Sequence, residues 1–190
     1  MSRRVTIFAL ASMLLVSCAA SSGPVVIPSE ELPFRVQRSP SIEPTGEAQN
    51  RVTLGLARLG RVFPVQRRVP SAATTAEAVM RALLDGPTTR ERARRITTAI
   101  PTGTRLLDVT VRDRLADVNL SREFQAPAAH DEIVLRVAQV VFTLIALPHV
   151  SQATFRIDGE PVDVVTASGT TVHRPVTWED YASIGPRPGS

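Results

Sequence analysis

The sequence predicts an α+β fold: a mostly antiparallel sheet built of hairpins, with two helices packed on one face. Three observations carry this reading. Short stretches of alternating apolar and polar residues are separated by turn dipeptides, the pattern of strands joined in hairpins. Two other stretches repeat their apolar residues every three or four positions, as helices do. Along the 190-residue chain the order is hairpin, then helix and hairpin twice.

The chain opens with a segment outside that fold. Arg3 and Arg4 supply two positive charges, and Val5 to Val16 is apolar apart from Thr6 and Ser12. That run is about 12 residues, whereas a spanning helix needs about 20. A short basic stretch followed by a short apolar one reads as a secretory signal. Leu15-Val16-Ser17-Cys18 then reads as a lipobox, in which small residues give a peptidase access and the Cys18 thiol takes a diacylglyceryl group. Residues 1–17 are thus expected to be a lipoprotein signal peptide. Acylated Cys18 would hold the chain in the lipid bilayer, on the extracytoplasmic face of the cell membrane. Each buried methylene of such a lipid contributes about 0.8 kcal/mol. The alternatives are a plain signal peptide with an incidental cysteine, or an uncleaved anchor. Cys18 is the only cysteine, which excludes a disulfide within one copy and any cluster of thiolate ligands. Residues 18–50 carry Pro24, Pro28, Pro33, Pro40 and Pro44 and are expected to be a flexible tether, because proline removes backbone donors and favours extended chain.

The folded region is expected over residues 51–166. Arg51–Arg58 alternates over its first half and suits a strand; Leu59-Gly60-Arg61 is a plausible turn, and Val62–Val69 returns as a second strand. Pro64 points to an edge or a bulge. Thr74 or Thr75 caps a helix that runs to Leu84, burying Val79, Met80, Leu83 and Leu84. Asp85-Gly86-Pro87 ends it, since glycine takes a left-handed conformation and proline cannot continue. Leu106–Arg112 and Leu115–Leu120 form a hairpin around Asp113-Arg114, with Val109 and Val111 on one face and Ala116, Val118 and Leu120 on another. A second helix, from about Asp131 to Leu147, is apolar but for the interruptions at Arg136 and Gln139 and is ended by Pro148. Gln152–Ile157 and Pro161–Val165 make the last hairpin around Asp158-Gly159. Residues 167–190 are read as a C-terminal extension, in which Val172–Tyr181 packs at an edge and Gly185–Ser190 frays.

Composition narrows function more than it identifies it. All 22 basic residues are arginine, as in GC-rich coding and an actinobacterial source, and the formal charge of +4 falls to about +2 without Arg3 and Arg4. Arg90 to Arg95 is the one dense basic stretch; it reads as a solvated loop or helix face, against an acidic partner or anionic lipid. Export and an aromatic content of 4% argue against nucleic acid. His130, His149 and His173 are dispersed with no metal-ligand spacing, and neither a nucleophile elbow nor a phosphate loop is present. No catalytic residue, cofactor or metal is expected, and the chain is read as a non-enzyme. Gln139 and Thr143 share a helix face, where they bond one another or a neighbouring strand, or else line a binding groove. Trp178 and Tyr181 either cover the core edge or anchor an interface. These four are the candidate interaction residues.

Several motifs then resemble one family. Leu83-Leu84-Asp85-Gly86-Pro87-Thr88 resembles the "aLLaGPt" signature of GerMN domains, the sporulation and spore-germination type. Ala99–Leu107 is similar to the "iP.gt.l..v" stretch that follows it. Val118-Asn119-Leu120-Ser121 with Glu123-Phe124 resembles "V(D/N)LS.eF", and Val137–Leu144 resembles the "..aQiv.Tlt" helix. Val150, Phe155, Ile157, Asp158-Gly159 and Val162 match "V..V.f.idG..v". The matches fall in family order over about residues 51–165. The resemblance implies an extracytoplasmic, non-enzymatic module, often lipid-anchored, that acts as an interaction or scaffold unit with an envelope protein partner, and it implies self-association. A module binding a small ligand, such as a cell-wall fragment or lipid, is the alternative. Two features depart from the best-known relatives: there is one unit where they carry a tandem pair, and no propeller-length region follows it.

Overall fold

The computed structural model describes residues 49–70 and 75–186. The expected signal peptide, Cys18 and the tether up to residue 48 lie outside the described residues, as does the end of the expected C-terminal fray.

Strands β1 (Gln49–Arg58) and β2 (Arg61–Pro70) form an antiparallel hairpin. Its turn residues Leu59 and Gly60 both have positive φ, 54° and 70°, the combination that matches the twist of a two-residue hairpin. Pro64 is accepted without a bulge: it faces Gly55 in an unbroken register on an edge strand. Helix α1 (Thr75–Leu84) follows and stops where expected, at Gly86 with φ 69°. The basic stretch contains a short helix, α2 (Thr89–Ala93). Its capping box is reciprocal: the Thr88 hydroxyl accepts from Glu91 N–H, and Thr88 N–H donates to the Glu91 carboxylate at 2.6 Å.

Strands β3 (Leu106–Arg112) and β4 (Leu115–Leu120) pair around Asp113-Arg114, at φ 49° and 67°. Val109 lies opposite Val118 and Val111 opposite Ala116. Directly opposed residues project to the same side, so the two valine positions share the face of Ala116 and Val118 and do not form a separate one. Helix α3 (His130–Ile145) then carries the chain about 24 Å back along the sheet. Strand β5 (Gln152–Ile157) therefore runs parallel to β4, from Leu115 beside Gln152 to Leu120 beside Ile157. The hairpin order alone did not foresee this pair.

Strand β6 (Glu160–Val162) returns from β5 over Asp158-Gly159. The strand expected as far as Val165 breaks at Asp163. Its last part, β7 (Val164–Val165), pairs with β8 (Thr171–Val172). The sheets are β1-β2, β3-β4-β5-β6 and β7-β8, and four of the five strand pairs are antiparallel. The α+β class holds.

Ala116, Val118, Leu120, Ala153, Phe155 and Ile157 are buried on the inner face of the four-stranded sheet. Packed between that sheet, the β1-β2 hairpin and α1, α3 has nine buried residues, Val134, Arg136 to Val141, Thr143 and Leu144. It is thus enclosed by the hairpin and α1 as well as by the sheet face on which it packs. The expected extension is part of this core. Val176 bridges to Ala153, and fully buried Tyr181 donates its hydroxyl to Val165 C=O at 3.0 Å.

Candidate functional site

Beyond its exposed first turn, the polar residues of α3 (Arg136, Gln139 and Thr143) point inward, and each has a task within the fold. Gln139 and Thr143 are both fully buried. The Gln139 amide donates to Gly55 C=O at 3.0 Å and accepts from Ala99 N–H at 2.7 Å. The Thr143 hydroxyl accepts from Gly55 N–H at 2.8 Å and donates to Gln139 C=O at 2.6 Å. Both side chains thus stand in for a missing strand beside Gly55. One residue pair farther along, Ala57 and Thr97 exchange backbone bonds of 2.9 and 2.8 Å. Glycine at 55 is what lets the helix come this close: a Cβ there would lie 3.0 Å from Gln139 C=O and 3.2 Å from the Phe142 Cβ.

Arg136 extends the same stripe one turn earlier and is only 3% exposed. Its guanidinium donates to Ala99 C=O at 3.2 Å, Phe124 C=O at 2.5 Å and Ala126 C=O at 3.0 Å. Burial pulls its pKa below the ordinary arginine value, and Glu132 opposes that shift. In the sequence Arg136 stood out only as an interruption of the apolar pattern.

Gln139, Thr143 and Tyr181 are therefore corrected as interaction-face residues: they are wholly inside, with their polar atoms bonded to the fold itself. The groove reading of Gln139 and Thr143 loses its ground for the same reason. Trp178 alone of the four is exposed, at 47%, beside a small apolar hollow that includes Phe142, Ile145 and Pro64.

What the structure opens instead is a cleft of about 740 Å³ beside the C-terminal end of α3. Asn50 to Thr53 of β1, Ala76 of α1, Val109 and Val111 of β3, and Ala146 to Val150 after α3 line it. No carboxylate is among these residues, and Arg51 and His149 are exposed at the rim. Its walls include two strand edges, because among the described residues the Arg51–Thr53 part of β1 and the β3 strand each pair on one side only. Backbone groups alternate sides along an antiparallel strand. Gly55 and Ala57 turn theirs away from β2, so Arg51 and Thr53 do the same. Arg112 and Leu115 close the two-residue β3-β4 turn as a bonded pair, which directs the N–H and C=O of Val109 and Val111 outward. None of these four has a backbone partner across the cleft among the described residues.

Convergent chemistry is not what this cleft offers. The three histidines are apart: His130 starts α3, His149 lies at the cleft rim, and His173 pairs with Asp163 at 2.7 Å. Among the described residues no group of three or more His, Cys, Asp or Glu is placed to hold a metal ion. Arg67 was missed by sequence reasoning. It ion-pairs with Glu91 and donates to Ala82 and Gly86 C=O, both at 2.8 Å, and so ties β2 to the end of α1 and to α2. The Thr-x-x-Glu spacing at Thr88 and Glu91 was the available signal, since it marks Glu91 as a capping residue separate from the arginines around it.

Comparison with known proteins agrees with this architecture. The Germane model, described as sporulation and spore germination, matches residues 44–163. The tandem GerMN domains of the sporulation protein GerM from Bacillus subtilis superpose with a TM-score of 0.57 at 19% identity, over 70% of this chain and 48% of theirs. The chain thus spans about half the length of that tandem structure. The first GerMN domain of the same protein gives 0.51 at 18% identity, over 68% of this chain and 98% of that domain. A candidate lipoprotein from Clostridium perfringens gives 0.50 at 17% identity, over 72% and 93%. No curated protein matches in sequence.

Proposed function

The chain belongs to the Germane family of sporulation and spore-germination domains, and from that premise we propose that it is a non-enzymatic interaction module of the cell envelope. In this reading acylated Cys18 anchors it at the extracytoplasmic face of the cell membrane, and the domain captures an extended segment of an envelope protein. The carrying observation is the cleft, where two strand edges without a partner among the described residues meet mainly apolar walls. An extended peptide gains affinity by adding to such an edge, and side-chain hollows supply its specificity. Apolar walls without a carboxylate, and Arg51 at the rim, favour a segment that is apolar with an acidic residue. Among the described residues no helix is long and apolar enough to cross a membrane, which fits attachment through a lipid.

Two measurements test this. Intact mass of membrane-extracted protein should show a diacyl or triacyl adduct that is lost in Cys18→Ser, and an unmodified, released wild type would overturn the anchor. For the partner, a photo-crosslinking residue is placed at Thr53, at Val111, or at Thr110 on the opposite sheet face of the full chain in native membranes. Discrete protein adducts from Thr53 and Val111 but not Thr110 are expected. Equal labelling from all three, or a small-molecule adduct only, would overturn the protein-interaction reading.

A further inference from the structure

The tip of the β1-β2 hairpin, at the far end of β1 from the cleft, carries a feature that the fold does not require. Leu59 is 84% exposed and has φ 54°. In the left-handed region a leucine Cβ crowds the following carbonyl oxygen, and glycine or asparagine would suit the turn better. One position thus combines exposed apolar surface with an unfavourable backbone, a local inconsistency of the kind that marks functional sites.

The two chain segments that meet beside it carry charge of a single sign. Ala57 and Thr97 form an antiparallel bridge. Leu59 lies two residues beyond the bridge on one side and Arg95 two residues before it on the other, so the two segments converge near the tip. Residues 57–62 and 92–97 contain Arg58, Arg61, Arg92, Arg94 and Arg95 and no acid. Glu91, the nearest acid along the chain, is held by Arg67 and Thr88. Arg58 lies over the Phe63 ring at 5.2 Å, and exposed Arg94 and Arg95 have no ion-pair partner among the described residues.

We propose that this tip is a membrane-contact site, in which Leu59 enters the outer acyl boundary of an anionic phospholipid surface and Arg58, Arg94 and Arg95 bind headgroup phosphates. An exposed apolar side chain flanked by arginines matches the bilayer interface, where hydrocarbon and phosphate lie within about 5–10 Å of each other. A soluble polyanion would satisfy the arginines and leave Leu59 unexplained. The contact also orients the domain: from Leu59 to Arg51 along β1 is on the order of 25 Å, so the cleft is held clear of the lipid.

The test uses the full chain reconstituted into vesicles, with Leu59→Trp and Trp178→Phe so that position 59 carries the only tryptophan. Any N-terminal anchor is the same in phosphatidylcholine vesicles and in vesicles containing phosphatidylglycerol, so a difference between them reports the tip. Emission should shift to the blue, and brominated acyl chains should quench it, in the phosphatidylglycerol vesicles only. Arg94→Glu with Arg95→Glu should abolish both effects while circular dichroism is unchanged, since an anionic surface contributes about five-fold per arginine in contact. Emission that is the same in the two vesicle types would overturn the proposal. So would a shift produced equally by soluble polyphosphate, which would make the patch a polyanion site.

Discussion

The underside of α3 and the cleft beside its C-terminal end are only a few turns apart, yet they invert the usual expectation of polar and apolar surface. The underside is polar and closed: Arg136, Gln139 and Thr143 are buried and their bonds end on the backbone of β1 and of the segments before β3 and α3. The cleft is mainly apolar and open, and outward-facing strand backbone lies along it. A conspicuous polar residue on a helix is therefore structural when its partners lie inside. An ordinary valine becomes a functional candidate when it sits on an unpaired edge.

The strongest way to break this contrast is to remove Arg136. Arg136→Ala leaves the carbonyls of Ala99, Phe124 and Ala126 without their donor and opens a cavity beneath Phe124. Buried groups left unsatisfied cost about 1–3 kcal/mol each, with partial relaxation, so a loss of about 3–5 kcal/mol is expected in urea unfolding. A change under about 1 kcal/mol would mean that the stripe is not a staple. Gly55→Ala tests the same junction from the strand side. The added Cβ meets backbone at 3.0 Å, which cannot swing aside as a side chain would. Overpacking of this kind costs about 1–3 kcal/mol, read as a lower urea midpoint at unchanged slope.

Much of the underside could be read in advance, and the reason is local. Strands β3, β4 and β5 occupy the segments that alternation and turn dipeptides assign to them, because a two-residue turn fixes its own hairpin register. Gln139 and Thr143 were recognisable as one helix face by spacing alone. What stayed hidden depends on contacts between distant residues. Whether β5 pairs parallel to β4 is decided by the length of α3, and whether Tyr181 is core or interface by a carbonyl at Val165. The cleft had no sequence signal, since its open edges are defined by the lack of a neighbouring strand among the described residues.

A smaller effect concerns the segment that closes the core after β8. Arg174 holds the Asp180 carboxyl below its ordinary value, against the opposing effect of burial, with Thr177 N–H adding to the same carboxylate at 2.8 Å. A depressed carboxylate contributes stability that is present above its unfolded pKa and lost as pH falls through its folded one. Asp180→Asn should therefore lose little at acidic pH below the depressed value. At neutral pH it should cost at most about 1 kcal/mol, because Arg174 is half-exposed. A cost that did not change with pH would assign the role of Asp180 to hydrogen bonding alone.

The smallest expected change in stability is also the one that bears most directly on function. Val111 is 38% exposed on the open edge of β3. Val111→Lys puts a charge where an incoming strand would lie, a device that natural edge strands use to refuse partners. The folded chain has solvent there, so unfolding free energy should move by no more than about 0.5 kcal/mol. Crosslinking from Thr53, on the opposite wall, should nevertheless disappear, because the segment that bridged the cleft can no longer seat. If the variant kept that adduct, the partner would be pairing with β1 alone and β3 would be only a wall. If it lost stability on the scale of Arg136→Ala, Val111 would belong to the core after all, and the distinction between the closed and the open side of α3 would fail at that point.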